Sequence, residues 1–191
     1  MNRIGLFFGS FNPIHTGHLI IAQYMLENAD IDGVWFVVSP HNPFKKRSSL
    51  AHEQDRYDLV QAAIYENYRF RVEDIEFHMP QPSYTADTLA LLIDKHPEKD
   101  FSIIMGTDSL SHIHKWKNAN YILENHQIWA YPRPGIDISQ LPQLPSIHLK
   151  EAPLIDISAT LIRQMISEGK SIKYIVPDSV EALIFKKKLY I

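Results

Sequence analysis

Short apolar runs recur along the chain and alternate with segments whose apolar residues follow helical spacing. Runs that are rich in β-branched and aromatic side chains, and that have no polar residue at every second position, are typical of strands buried on both faces of a sheet. The runs predict strands within residues 3–8, 34–38, 69–77, 101–105 and 127–131, with a short sixth strand around 147–149.

The intervening segments predict helices, and capping residues, glycines and prolines indicate where several of them begin or end. We expect helices at about residues 17–28 and 50–66, after a loop within residues 82–97 and ended by Pro97, briefly after residue 106, and at about 158–168 and 178–187. Alternating strands and helices favour an α/β fold: a Rossmann-like, doubly wound parallel sheet of about five to six strands with a small C-terminal helical subdomain. We predict a single domain over residues 1–191, with a parallel α/β core at 1–135 and a helical part at 150–191.

Composition narrows the function classes. The chain is 45% apolar and 21% charged with a formal charge of −3, which argues against a nucleic-acid-binding protein with a strongly basic surface. It contains no cysteine, so thiolate metal sites, disulfides and cysteine nucleophiles are excluded. We see neither a signal peptide nor an apolar stretch that could span a membrane, and we expect a soluble, cytoplasmic protein.

The segment GSFNPIHTGH, from Gly9 to His18, lies between the first strand and the first helix. Helix N-termini at the carboxyl edge of a parallel sheet attract phosphate, because their N–H groups are free and the helix dipole is positive there. His15 and His18 lie one turn apart, where imidazoles can stabilise charge on phosphoryl oxygens. A metal site, or histidines of no functional consequence, are the alternatives. No neighbouring carboxylate supplies a third metal ligand, and a dinucleotide-type glycine pattern is missing.

This segment resembles the first signature of the nucleotidyltransferase superfamily, and DISATLIRQMI, residues 156–166, resembles the second. Read alone, the second segment is only a capped amphipathic helix. The resemblance covers nearly the whole chain and implies a single nucleotidyltransferase domain, whose helical part carries the ISATLIR motif. It implies that ATP is held by Gly9, Ser10, Phe11, His15, His18, Gly106, Asp108, Ile157, Ser158, Thr160 and Arg163.

A third segment, PSYTADTL at residues 82–89, resembles a motif of bacterial nicotinate-nucleotide adenylyltransferases, although by itself it could be a plain helix cap. In that family the backbone amides of this loop receive the carboxylate of the nicotinate ring, and a tryptophan stacks on the ring. The resemblance assigns nicotinate mononucleotide to Ser10, Lys45, Ser83, Tyr84, Thr85, Trp116 and Arg133. The loop after the second strand departs from the family pattern, since Phe44 precedes Lys45, and the roles of His41, Lys46, Arg47 and Arg133 stay open.

The resemblance implies AMP transfer from ATP to nicotinate mononucleotide, giving deamido-NAD and pyrophosphate in NAD biosynthesis. The catalytic residues would be His15, His18, Lys45 and Arg163, with Mg²⁺ carried on ATP and no protein metal site. Pantetheine-phosphate and nicotinamide-mononucleotide adenylyltransferases are the alternative enzymes, and a catalytically silent nucleotide-binding module is the alternative of a different class. The sequence leaves open the preference between nicotinate and nicotinamide, and the choice between monomer and homo-oligomer.

Overall fold

The computed structural model of the protein describes residues 2–40 and 50–191. Within these residues, one parallel sheet contains six strands. Their bounds are β1 (Arg3–Gly9), β2 (Gly33–Val38), β3 (Phe70–Glu73), β4 (Asp100–Gly106), β5 (Ile128–Tyr131) and β6 (Ile147–Leu149). The strand order is β3-β2-β1-β4-β5-β6. This arrangement confirms the predicted Rossmann-like, doubly wound parallel sheet.

The chain covers the sheet with α-helices on both faces. In the described ranges these are α1 (Thr16–Asn28), α2 (Glu53–Ile64), α3 (Thr85–Lys95), α4 (Thr107–Leu110), α5 (Ala119–Asn125), α6 (Ala159–Ser167) and α7 (Asp178–Lys186). Buried residues of α1, α2, α6 and α7 share one hydrophobic core. Those of α3, α4 and α5 share the other.

Strand β2 shows why the strands read as continuous apolar runs. All six of its residues are buried. Trp35 and Val37 belong to the core under α3, whereas Phe36 and Val38 belong to the core under α1. Successive side chains of a strand point to opposite faces. A strand covered on both faces therefore has apolar residues at consecutive positions, without alternating polar ones.

The third strand lies at Phe70–Glu73, within the predicted segment 69–77, and is followed by a 3-10 helix at Ile75–His78 that buries Ile75 in the core beneath α3. Two local expectations differ from the structure. Helix α5 has no counterpart in the prediction; it follows Asn118, whose positive φ of 54° breaks the backbone direction before the helix begins. The helix starting at Glu53 is shorter than the predicted segment at 50–66.

The C-terminal helix is fastened to α2. Lys187, just beyond the end of α7, forms ion pairs with Asp55 and Asp58 of α2, and Ser179 Oγ donates to the Ala62 carbonyl over 2.7 Å. In the part of the chain that the structure describes, no helix is both long enough and apolar enough to cross a membrane.

Candidate active site

A cleft opens at the carboxyl ends of β1 and β4, the two central strands. The strand order reverses direction between them, and parallel sheets bind ligands at such a point. The cleft has a volume of about 910 Å³ and includes Gly9 at the end of β1 and Gly106 at the end of β4. All predicted site residues except Lys45 line it. Lys45 lies outside the described residues, as do His41, Lys46 and Arg47.

The loop between β1 and α1 is anchored by an aromatic side chain. Phe11 has a φ of 42°, and its ring is buried against Phe7 and Phe36. A Cβ atom on Gly9 would approach this ring to 2.7 Å, which is shorter than van der Waals contact. Gly9 is therefore required by packing inside the loop.

His15 and His18 form a closely packed pair with tilted rings at the start of α1. Their ring centroids are 3.7 Å apart with an angle of 30° between the rings. The backbone N–H of His15 donates to His18 Nδ1 over 3.3 Å, so a neutral His18 carries its proton on Nε2. Gly17 makes the pair fit, because a Cβ atom there would lie 3.0 Å from His15 Nδ1.

The environment keeps His15 neutral at pH 7. Burial, and secondarily the positive charge of Arg133, lower the pKa of His15 to about 4. Its Nδ1 atom is buried and has no hydrogen-bond partner among the described residues. The pair thus places an uncharged His15 imidazole beside His18 at the positive end of a helix, where a polyanion is favoured.

The second motif meets the first across the cleft. Ser158 caps α6, its Oγ accepting from the Leu161 N–H over 3.2 Å. From the same helix, Arg163 donates to the Asn12 carbonyl over 2.8 Å and to Thr160 Oγ1 over 3.3 Å. One guanidinium therefore connects α6 to the loop that precedes α1, and the N-termini of both helices border the same space.

The end of β4 brings a carboxylate close to a cation. Asp108 and Arg133 are separated by 4.0 Å between Oδ1 and Nε, and the backbone N–H of Arg133 donates to Thr107 Oγ1 over 2.9 Å. A Cβ atom on Gly106 would collide with the Asp108 carboxylate and lie 2.8 Å from Arg133 Cγ. A larger residue would therefore displace these two side chains from their present positions.

The segment from Ser83 to Thr85 borders the cleft at the start of α3. Tyr84 occupies the N-cap position in an extended conformation, and Thr85 is the first helical residue. Lys117 lies over the Tyr84 ring at 5.0 Å from its centroid and pairs with Asp87 at 2.8 Å. Trp116 packs against the neighbouring core and also lines the cleft.

Sequence reasoning missed the residues that hold these loops in place. Arg56 is fully buried, and burial lowers its pKa. Its guanidinium donates to the backbone carbonyls of Ala51, Ser10, Ser39 and Pro40 over 2.6–3.0 Å. An arginine within an amphipathic helix has no local signal of such a role, since it is ordinarily exposed.

Two further residues near the site were not predicted, because the local sequence gives no signal of their roles. Tyr190, in the last turn of the chain, donates its hydroxyl to Asn12 Oδ1 over 2.9 Å. Glu76 is buried beside the cleft and accepts from the hydroxyls of Ser83 and Thr88. No motif marks either position, and only the folded chain brings them to their partners.

The described residues contain no cluster of three or more His, Cys, Asp or Glu side chains able to hold a metal ion. The site combines two helix N-termini, a pair of histidines, two arginines and a carboxylate near a sheet edge. Such a set can bind a polyphosphate and orient a second phosphate beside it.

Comparisons with known proteins extend over most of the chain. A model of the cytidylyltransferase-like family matches residues 6–165. The probable nicotinate-nucleotide adenylyltransferase of Cytophaga hutchinsonii is 52% identical over 188 residues, covering 98% of each chain. The corresponding protein of Flavobacterium johnsoniae is 47% identical over 190 residues, again covering 98% of each chain.

Solved structures share the fold. Plasmodium falciparum nicotinic acid mononucleotide adenylyltransferase complexed with NaAD superimposes with a TM-score of 0.83, covering 100% of this chain and 98% of that one at 22% identity. The same protein complexed with APC gives a TM-score of 0.82, also at 22% identity. The likeness therefore extends over the whole length of the chain.

Proposed function

The chain belongs to the cytidylyltransferase-like family of nucleotidyltransferases, and from this premise we propose that it is a nicotinate-nucleotide adenylyltransferase of NAD biosynthesis. The single observation that carries the proposal is 52% identity, over 98% of both chains, to a relative named for this activity. The cleft supports it, since both phosphate motifs and the Ser83–Thr85 segment line one space.

The reaction joins two nucleotides. A 5′-phosphate oxygen of nicotinate mononucleotide attacks the α-phosphorus of ATP in line, forming a new P–O bond. The bond from that phosphorus to the oxygen bridging to the β-phosphate breaks, and pyrophosphate leaves with the electron pair. The attacking phosphate is already anionic at pH 7, so a general base is unnecessary. Catalysis then consists of positioning two polyanions and stabilising charge as it develops.

The phosphate motifs would serve the triphosphate. His18 donates from Nε2 and, with His15, binds the α- and β-phosphates; the hydrogen bond that His18 Nδ1 accepts supports this assignment. Thr160 and Arg163 bind the departing pyrophosphate from the N-terminal turn of α6, a placement supported by the contact between Arg163 and Asn12. Lys45 acts at the reacting phosphates, as the family resemblance implies.

The remaining residues would hold the nucleosides. Asp108 accepts from the ribose hydroxyls of ATP beside Gly106, which a carboxylate can do for two adjacent hydroxyls. Trp116 stacks on the electron-poor pyridine ring, and the backbone N–H groups of Ser83–Thr85 bind its carboxylate. Arg133 takes the phosphate of the mononucleotide, and its proximity to His15 supports that role.

Magnesium enters as MgATP and is part of the substrate. Mg²⁺ prefers phosphate and water oxygens and keeps much of its hydration shell. The reaction uses small, soluble metabolites, and we propose that the protein works in the cytoplasm on ATP and nicotinate mononucleotide.

Pyrophosphate release from MgATP tests the proposal. We would offer nicotinate mononucleotide, nicotinamide mononucleotide and phosphopantetheine side by side to the full chain. We expect the highest kcat/KM with nicotinate mononucleotide. Equal rates with both pyridine substrates would refute a subsite that recognises the nicotinate carboxylate. Release only with phosphopantetheine would refute nicotinate mononucleotide as the substrate. No release with any of the three would refute the adenylyltransferase activity.

A further inference from the structure

A buried carboxylate borders the cleft next to the Ser83–Thr85 segment. Glu76 is only 3% exposed and belongs to the 3-10 helix that follows β3. Its Oε2 accepts from Ser83 Oγ over 2.9 Å, and its Oε1 accepts from Thr88 Oγ1 over 2.9 Å. A hydrogen bond from the Ser39 side chain completes the set.

Packing alone does not explain an acid at this position. Burying a carboxylate costs free energy unless hydrogen bonds compensate, and here burial raises the pKa of Glu76. A negative group is also unfavourable beside a cleft that takes anions. An apolar side chain or an amide would fill the same volume without either cost.

The three hydroxyls around Glu76 come from three separate segments. Ser39 follows β2, Ser83 precedes α3, and Thr88 lies on the first turn of α3. The backbone N–H of Ser39 in turn donates to the Gly9 carbonyl over 2.9 Å. Glu76 thereby connects the beginning of α3, through Ser39, to the strand end from which the phosphate-binding loop starts.

This arrangement decides which groups the segment can offer to a ligand. The Ser83 hydroxyl donates inward to Glu76, and its proton is then not available to the cleft. The first N–H groups of a helix have no i−4 acceptor within the helix. In α3 the Asp87 N–H donates to the Tyr84 carbonyl, so the N–H groups that precede Asp87 are the ones suited to receive an anion. Their direction depends on how the segment is held from behind.

We propose that Glu76 is a positioning residue for the pyridine subsite, aiming the backbone N–H groups at the start of α3 toward the carboxylate of the nicotinate ring. This inference rests on the proposed function and deepens it. Glu76 acts through Ser83 and Thr88 and is not itself in contact with the ring. Its loss should therefore affect one substrate much more than the other.

Steady-state kinetics of Glu76→Ala and Glu76→Gln test the proposal. We expect Glu76→Ala to raise KM for nicotinate mononucleotide about tenfold and KM for MgATP less than about twofold. Glu76→Gln should restore part of the loss, with a rise of about threefold, because the amide can accept from one hydroxyl and donate to the other. Glu73→Gln is the matched control, since Glu73 is also largely buried and lies outside the set of described residues lining the cleft.

The outcomes separate this inference from the proposed function. If the wild type releases no pyrophosphate with nicotinate mononucleotide, the proposed function fails. If the wild type is active and Glu76→Ala is folded, then equal rises in both KM values, or no rise in either, overturn the positioning role. If Glu76→Ala does not fold, an unchanged KM for nicotinate mononucleotide in Glu76→Gln overturns it.

Discussion

At the scale of single residues, the proton on His18 has the sharpest consequence for catalysis. Nδ1 accepts from the backbone, so Nε2–H is the donor available to a phosphate oxygen. We predict that His18→Ala lowers kcat by a factor of roughly 10²–10³, since losing one preorganised donor costs about 3–4 kcal/mol of transition-state stabilisation. Pyrophosphate release under saturating substrates is the measurement.

The control is His78→Ala, because that histidine is exposed and lies outside the described residues lining the cleft. It should leave kcat within about twofold of wild type, as expected for a surface substitution. A His18→Ala protein that is folded and turns over at a near wild-type rate would contradict the assignment of His18.

Individual site residues could be predicted where a segment contains more polar side chains than a strand-to-helix turn requires. The segment from Gly9 to His18 is of this kind, and parallel strands then bring its residues to one sheet edge. Arg56, Glu76 and Tyr190 were not predictable. Their partners lie 5 to 178 residues away along the chain, and nothing in the local pattern distinguishes them from a surface arginine, a surface glutamate and a frayed end.

At the scale of elements, the strand positions could be predicted from the sequence, because a strand buried on both faces contains no alternating polar residues. Their ends were less so. Strand β3 stops at Glu73 although apolar residues continue to Phe77, because Ile75 and Phe77 belong to a 3-10 helix instead. Helix α5 is short, and its start depends on the positive φ of Asn118, which propensity does not reveal.

Helix α2 holds several loops through one side chain. The guanidinium of Arg56 donates to four backbone carbonyls, which a buried methionine of similar length could not satisfy. We predict that Arg56→Met lowers the free energy of unfolding by about 3–5 kcal/mol, because buried acceptors left without a donor carry their full desolvation cost. Denaturant-induced unfolding of the purified chain is the measurement.

Arg69→Met provides the comparison. Arg69 also forms a charged contact, to Glu27, but both side chains are substantially exposed, and we expect a loss below about 1 kcal/mol. Similar losses for the two variants would mean that the carbonyl contacts of Arg56 contribute little.

At the scale of the whole molecule, topology assembles the site from distant parts of the sequence. The reversal of strand order between β1 and β4 opens the cleft, and the chain returns to it from the C-terminal side through α6. The sequence predicted a doubly wound sheet and two motifs for one triphosphate. It did not predict how the last residues return to the first loop, because that contact depends on α7 packing against α2.

The contact between the C-terminus and the first loop is made by Tyr190, whose hydroxyl donates to Asn12 Oδ1 over 2.9 Å. Burial raises the pKa of Tyr190, so the phenol remains a donor at physiological pH. We predict that Tyr190→Phe costs about 1 kcal/mol of unfolding free energy, since Asn12 Oδ1 keeps its bond from the Ala51 N–H. We also expect a rise in KM for MgATP of about threefold, because Asn12 belongs to the loop that Arg163 contacts.

Tyr68→Phe, at an 83% exposed position, should change neither quantity. If Tyr190→Phe loses stability while KM for MgATP stays unchanged, the C-terminal contact supports the fold and not the phosphate site.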